Sequence, residues 1–377
     1  MSRYFITSAR ESRKNIIAKI WRSLRLDPIL FLSILFLEII GLLLLYSTSN
    51  QNISLVLRQL LNFATALMAM LVFARIPVTR YQTIAPWFYS VVVLMLTLVL
   101  IFGAVAKGGQ RWLGLGFMRF QPSEAMKITM PMMLAWYLRD KIFPLNFRSL
   151  LCCLIIILVP VLLIAKQPDL GTAVLVTITG ALVIMLAGVS WKVAAGSFLA
   201  FIAVVPVIWR SMYSYQKMRL LIFLSPESDP FNKGYNVIQS KIAIGSGGWI
   251  GKGWLHGTQS HLSFLPEAST DFAFAVYGEE FGFIGSLVLI AFFGVIIGRS
   301  LYISANAQDT FARLLVGSLT MSFFCAVFVN VGMVSSILPV VGVPLPFMSY
   351  GGSSLMIFMA SFGAIMSAQS NRKLMGS

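Results

Sequence analysis

The chain has 377 residues, 58% of them hydrophobic and 11% charged, against about 25% charged in a soluble domain. Its mean hydropathy of +0.84 excludes intrinsic disorder, and a water-soluble fold of this composition would leave apolar surface exposed, so the bilayer is its solvent. The net charge of +16 therefore reads first as membrane sidedness, with no nucleic-acid partner expected.

Residues 1–28 are polar and basic, and the first apolar run lacks a small-residue cleavage site at a suitable distance. They read as a cytoplasmic tail, not a removable signal. Apolar stretches of about 20 residues, long enough for roughly 30 Å of hydrocarbon, follow at 29–48, 55–75, 86–106, 122–138, 149–166, 170–188, 192–208, 272–298, 312–334 and 352–369. The expected fold is an all-α polytopic integral membrane protein: one ten-helix membrane domain over 29–370, with a large extracytoplasmic loop at 209–270 between helices 7 and 8, and a tail at 371–377. Lys and Arg set the orientation. Arg3, Arg10, Arg13, Lys14, Lys19, Arg22 and Arg25 share a side with Arg75, Arg80, Arg139, Lys141, Arg148, Lys192, Arg299, Arg313, Arg372 and Lys373, which places both termini in the cytoplasm. Cys152, Cys153 and Cys325 lie inside apolar runs and read as packing residues, without disulfide or metal spacing.

Candidate chemistry gathers where ionisable residues break this pattern. Glu38 falls inside the first span, where facing lipid would be costly, and no partner is visible in sequence. The outward loop 107–121 carries Lys107, Arg111 and Arg119 beside Trp112, against the positive-inside trend. It reads either as an anion site or as an interfacial anchor with Trp112 in the aromatic belt. The fourth span opens Gln121-Pro122-Ser123-Glu124, with proline suited to the first helical turn. Glu124 and Lys127 share a face at i, i+3, either as an internal ion pair or as functional charges. Asp169 in Lys166-Gln167-Pro168-Asp169 could cap a helix or serve a site.

The run Gly245-Ser246-Gly247-Gly248-Trp249-Ile250-Gly251-Lys252-Gly253 fails as a phosphate loop, because Ser246 and Gly253 stand where glycine and Ser or Thr are needed. His256 and His261 lack a carboxylate or Cys at zinc-ligand spacing. Asp271, in Ser269-Thr270-Asp271-Phe272, stands at the outer mouth of a long apolar helix. It reads as a cap, a general base or a metal ligand. The Pro- and Gly-rich loop from Leu338 to Ser354 is apolar, and non-helical backbone at such depth must be buried in protein or line a cavity. A wall of the site is expected there.

The strings KGGQRWLGLG, RFQPSEAMKI, KQPDLGTA, GKGWLHGTQSHLSFLPEASTDFAFA and LPVVGVPLPFMSYGGSS resemble the SEDS family (shape, elongation, division and sporulation) from about residue 27 to 373. GTQSHLSFLPE is most like its elongation branch, RodA. The resemblance implies a glycosyltransferase that polymerises lipid II at the outer face of the cell inner membrane, inverting the anomeric centre as undecaprenyl pyrophosphate leaves. It implies a class B penicillin-binding protein as partner, besides membrane lipids. It assigns the essential aspartate to Asp271 and further functional positions to Arg111, Trp112, Glu124, Lys127 and Asp169. Arg119, with Arg111 and Lys127, is a candidate to stabilise the leaving pyrophosphate. A divalent cation, Mg or Mn, could be held by Asp271 or Glu124; no organic cofactor is expected. The alternatives are a lipid II flippase, which would place charges near the midplane, and a non-catalytic scaffold for a transpeptidase.

Overall fold

In this computed structural model, residues 25–106, 109–115, 118–141, 145–189, 233–261, 265 and 267–371 are described, with a few isolated residues between 195 and 223. In chain order the elements are α1 (Pro28–Thr48), α2 (Ile53–Arg75), α3 (Val78–Phe102), β1 (Ala104–Ala106), β2 (Gly109–Leu115), β3 (Met118–Phe120), α4 (Pro122–Leu138), α5 (Phe147–Lys166), α6 (Leu170–Leu186), α7 (Lys233–Gly247), α8 (Thr258–His261), α9 (Ala273–Ala305), α10 (Thr310–Val334) and α11 (Gly352–Asn371). Seven of these, α1, α2, α3, α5, α9, α10 and α11, are long and apolar enough to cross a membrane. The two 17-residue helices α4 and α6 fall on two further expected spans. The expected span 192–208 lies outside the described residues, apart from isolated positions.

The helix starts follow local chemistry. Asp27 accepts the Leu30 amide at 3.0 Å ahead of Pro28, Asn52 accepts that of Ser54 at 3.0 Å, and Asp309 that of Ala312 at 3.3 Å. Each side-chain oxygen satisfies an amide that the helix leaves without a partner. The third helix begins at Val78 rather than 86, because Arg80, Gln82 and Thr83 form interfacial turns of the same helix that hydropathy does not register. It ends at Phe102 rather than 106, and the expected all-α fold acquires a three-stranded antiparallel sheet in the order β1-β2-β3. Trp112 pairs with Ala104 and Arg119 with Gly114. The expected loop 209–270 contains helix α7, which packs on α9.

At the centre stands α10, with 78% of its most apolar window buried, against 17% for α2 at the periphery. The Phe323 ring of α10 meets Phe293 of α9 at 6.0 Å, Phe347 at 5.5 Å, and Phe358 and Phe362 of α11 at 5.7 and 5.0 Å. The pairs with Phe358 and Phe362 are edge-to-face, a geometry that adds to area burial. Where helices approach most closely a side chain is excluded: a Cβ at Gly363 of α11 would overlap the Met70 carbonyl of α2. Small residues let backbones meet in this way inside membranes.

Helices α1 and α9 run antiparallel and are fastened at both ends. At one end, Asp27 Oδ2 accepts from Arg299 Nη2 at 2.8 Å and from Gln369 Nε2 at 2.7 Å, joining α1, α9 and α11. At the other, the Ser47 hydroxyl donates to Glu280 and Trp254 Nε1 donates to the Leu43 carbonyl at 3.1 Å. Helix α9 breaks at Gly282, with φ 67° and ψ −164°. There the amides of Phe283 and Ile284 turn to the carbonyls of Gly248 and Trp249 at 2.9 and 3.1 Å, so the preceding loop replaces the missing helical acceptors.

Burial pushes the Asp27 carboxyl up, but hydrogen bonds from Arg299, Leu30 and Gln369 outweigh it and hold it below its ordinary value of 3.8. A depressed folded-state value means that the stabilisation is complete above the unfolded value and is lost as pH falls through the folded one. Asp27→Asn should lower stability at pH 7 by about 2 kcal/mol, the scale of hydrogen bonds to a charged group. Thermal melts in detergent should show the gap between wild type and variant closing only below the ordinary carboxylate range. A gap that is constant with pH contradicts the assignment.

Candidate functional site

At the strand-bearing end of the bundle, the starts of α4 and α6 come together. Asp169 precedes α6 and accepts the Thr172 amide at 3.4 Å through Oδ1, so the capping expectation holds. Its other oxygen accepts from Gln121 Nε2 at 3.1 Å and Ser123 Oγ at 3.3 Å, which ties the mouth of α4 to that of α6. Arg111, on β2, lies with Nη1 3.7 Å from Asp169 Oδ1, and its Nη2 donates to the Pro168 carbonyl. One carboxylate thus caps a helix and pairs with a cation from the sheet.

One turn into α4, Lys127 Nζ donates to Glu124 Oε1 at 2.7 Å, with both side chains buried. The ammonium also stands 5.6 Å from the centroid of Phe358, and Phe358 packs on Phe347 of the loop before α11 at 6.4 Å. Both ions are therefore held in a medium of low dielectric, where interactions of charge are strong. Two buried polar atoms are left over here. Glu124 Oε2 and Arg111 Nε make no hydrogen bond among the described residues, whereas native interiors pair nearly all such atoms.

Asp271 sits half-buried ahead of α9, in a segment clasped by the loop over residues 335–351. Asn330 Nδ2 of α10 donates to the Asp271 carbonyl at 2.9 Å and to the Val343 carbonyl at 2.7 Å. The Ser349 hydroxyl donates to the Thr270 carbonyl at 2.5 Å, and the Tyr350 amide to that of Ser269 at 2.8 Å. Gly342, at φ 76°, approaches so closely that a Cβ there would stand 3.4 Å from Asp271 Oδ2. The preceding residue, Val341, turns its carbonyl onto Gly171 in the first turn of α6, where a Cβ would overlap it. Consecutive residues of one loop therefore touch the Asp271 carboxylate and the helix that Asp169 caps, and Cα atoms of neighbours are 3.8 Å apart. The loop expected as a wall thus runs between Asp271 and the start of α6, which Asp169 caps.

Trp112, half-buried on β2, lies next to Arg111. Arg119 is placed by backbone pairing on β3, and its side chain is outside the described residues, as is that of His261. Glu38 is enclosed in the bundle, 1% exposed, with Oε1 lacking a hydrogen-bond partner among the described residues. Among the described residues no group of three or more His, Cys, Asp or Glu could hold a metal.

Two polar positions that fasten segments around the site were not singled out from the sequence. Asn330 is an amide in an otherwise apolar helix, and that contrast was its only signal. Glu279, fully buried on α9, accepts from Lys252 Nζ at 2.6 Å, the Thr258 amide at 2.9 Å and the Gln259 amide at 3.2 Å. It thereby fixes the strap that runs from Gly248 to α8. Lys252, rejected above as a phosphate-loop lysine, has this structural use.

The family model for the cell cycle proteins FtsW, RodA and SpoVE matches residues 27–374. The peptidoglycan glycosyltransferase MrdB of Escherichia coli (strain K12) is 47% identical over 356 residues, covering 94% of this chain and 96% of the relative. A chain from a peptidoglycan synthase complex, solved to explain how polymerisation and crosslinking are coordinated, superposes with a TM-score of 0.81. It is 28% identical and matches 92% of this chain and 98% of its own. RodA of Thermus thermophilus shares the fold at a TM-score of 0.70 and 24% identity, over 92% of this chain and 97% of its own.

Asn330→Leu would keep the branched shape of the side chain, somewhat enlarged, while leaving the carbonyls of Asp271 and Val343 without their donor. At about 1–3 kcal/mol for each buried group left unsatisfied, the variant should melt several degrees lower. Limited proteolysis should then cut within 335–351 faster than in the wild type; equal cutting rates would show that this amide does not hold the loop.

Proposed function

The chain belongs to the FtsW/RodA/SpoVE family, and on that footing we infer that it is a peptidoglycan glycosyltransferase that joins lipid II units into glycan strands in cell elongation and rod-shape maintenance. The observation that carries the chemistry is the single loop that bears on both Asp271 and the first turn of α6. Polymerisation requires the acceptor hydroxyl to lose a proton as it attacks the anomeric carbon, and undecaprenyl pyrophosphate to depart with the bonding pair. Asp271 is the carboxylate suited to take that proton, at the mouth of α9 and within reach of substrate held along the wall.

The departing pyrophosphate gains negative charge, and preorganised cations stabilise such charge best where water is excluded. Arg111 and Lys127 supply them, with Arg119 as a third candidate on β3 and Trp112 as an apolar contributor from the same strand as Arg111. Asp169 and Glu124 hold the first two cations in place before substrate arrives, so little reorganisation accompanies the reaction. The leftover Arg111 Nε and Glu124 Oε2 are suited to polar groups of the substrate.

A divalent cation could be held by Asp271 or Glu124, and one oxygen of Glu124 already accepts from the Lys127 ammonium at 2.7 Å. Magnesium is commonly held by one or two carboxylates with phosphate oxygens completing its shell, and it would add positive charge against the pyrophosphate. Asp271 would then bind that cation while still bordering the acceptor hydroxyl.

The full topology read here has ten helices, with the stretch 192–208 as the seventh, a large extracytoplasmic segment over 209–270 and both termini in the cytoplasm, in the cell inner membrane. The distribution of Lys and Arg supports it. A class B penicillin-binding protein transpeptidase is the partner, a reading supported by the likeness to a chain from a complex that polymerises and crosslinks. The described charges at the site gather at helix starts and not at mid-bilayer, which favours polymerisation over flipping.

Purified protein with its transpeptidase should extend labelled lipid II into glycan strands, and Asp271→Ala should lose at least about 100-fold of that rate, the lower bound for a positioned acid or base. Arg111→Gln should lose about 100-fold through charge stabilisation while still binding substrate. Polymer formed equally by Asp271→Ala and wild type overturns the reading, and so does lipid II crossing sealed vesicles without polymer. Chelation with EDTA should suppress synthesis until Mg or Mn is returned; synthesis indifferent to chelation removes the cation from the scheme.

A further inference from the structure

Helices α3 and α4 pack antiparallel, so the polar first turns of α3 lie beside the aromatic last turn of α4, at the end of the bundle away from the site. Between them runs an open groove of about 500 Å³ lined by Thr79, Gln82, Thr83, Trp87, Trp136 and Arg139. The Arg139 guanidinium stacks on Trp136, 5.4 Å from its ring centroid, and Nε donates to Asp140 Oδ2 at 2.7 Å. With its amide turned so that the oxygen faces the cation, Gln82 accepts from Nη1 at 2.5 Å. Nη2 makes no hydrogen bond among the described residues. The Asp140 side chain is 77% exposed, so water screens its claim on the arginine.

We propose that this groove binds the headgroup of an anionic phospholipid. The charge around it favours an anion: Arg75, Arg80, Lys141 and Arg148 lie at the same ends of α2, α3, α4 and α5, and Asp140 is the one carboxylate in the α4–α5 turn among the described residues. Basic pockets between transmembrane helices are the usual seats of such headgroups, and tryptophan marks the headgroup level. The hydroxyl of Thr83 is already given to the Thr79 carbonyl at 3.0 Å, so the guanidinium is the group that reads the phosphate. Below the groove, Trp87, Val91, Leu94 and Leu98 are all exposed at helical spacing along one face of α3. That stripe gives the acyl chains a path from the same headgroup, which an isolated phosphate or a soluble acidic peptide would leave unused.

The bound lipid bridges the ends of α3 and α4, steadying the helix whose other end carries Glu124 and Lys127. In the orientation proposed above, this is the cytoplasmic leaflet.

The test is native mass spectrometry of the full chain in detergent, titrated separately with phosphatidylglycerol, cardiolipin and phosphatidylcholine. The wild type should retain either anionic lipid in preference to phosphatidylcholine. Arg139→Gln should weaken the first anionic adduct about 5-fold, the contribution of one arginine near a charged lipid surface. Because Arg139 also contacts Gln82 and Asp140, Trp87→Ala provides a second test: Trp87 is 75% exposed, and its loss should weaken the same adduct while the melting temperature without lipid stays unchanged. Unchanged anionic binding in both variants overturns the proposal, as does equal retention of phosphatidylcholine by the wild type. Inorganic phosphate competing the adduct away would show that a free anion, not a lipid, fills the groove.

Discussion

The amide of Asn330 is the interaction on which the arrangement of the site depends. Membrane interiors offer no water to satisfy backbone carbonyls, yet the non-helical segments around Asp271 and Val343 must sit against α10, most of whose residues are buried. One side chain resolves this by donating to both carbonyls. The apolar, Pro- and Gly-rich loop can then lie over the helix mouths, with Gly342 against Asp271 and Val341 against Gly171. Proximity requires glycine at Gly171, where a side chain would overlap backbone, and the left-handed φ of 76° favours it at Gly342.

The same constraint governs the ions. A carboxylate or ammonium buried without a partner is costly, and the fold answers with partners drawn from different elements: Arg111 from the sheet for Asp169 from α6, and Glu279 from α9 for Lys252 from the strap. Each such pair is weak evidence of stability, because desolvation offsets most of the Coulomb gain. Its use is geometric. Lys127 and Arg111 are positioned before any substrate binds, and what remains unsatisfied at Arg111 Nε and Glu124 Oε2 is directed by the shape of the protein, not by chance contact with solvent.

Much of this was legible in the sequence, to the extent that the chemistry is local. Hydropathy placed most of the expected spans among the described residues to within a few positions, but it began α3 eight residues late, ended α9 seven residues early and left α7 inside a loop; the cap at Asp169 follows from the pairing of a short polar side chain with orphan amides. The errors were also local in origin: α3 starts earlier because its interfacial turns are polar, β1 and β3 are three residues each and too short for periodicity to register, and β2 carries Gly109 and Gly114, which weaken a strand pattern. The closure of residues 335–351 over Asp271 could be anticipated as a wall, but the atoms that fasten it could not. Asn330 and Asp271 are 59 positions apart, and nothing in either neighbourhood specifies the other. Glu38 was visible as an anomaly, and the structure encloses it without supplying a partner for Oε1 among the described residues.

The two ends of the α1–α9 pair differ in a way that bears on mechanism. Asp27 is met by Arg299, Gln369 and the Leu30 amide, so that end is closed by a saturated carboxylate and joins three helices. At the opposite end Glu280 receives the Ser47 hydroxyl but keeps Oε2 unsatisfied among the described residues, and α9 is interrupted at Gly282, where its amides depend on the carbonyls of Gly248 and Trp249. The short stretch from Ala273 to Gly282, which follows directly on Asp271, is thus held from outside its own helix: the amides of Lys252 and Gly253 in the strap bond the carbonyls of Glu279 and Glu280, and Asn330 bonds the Asp271 carbonyl.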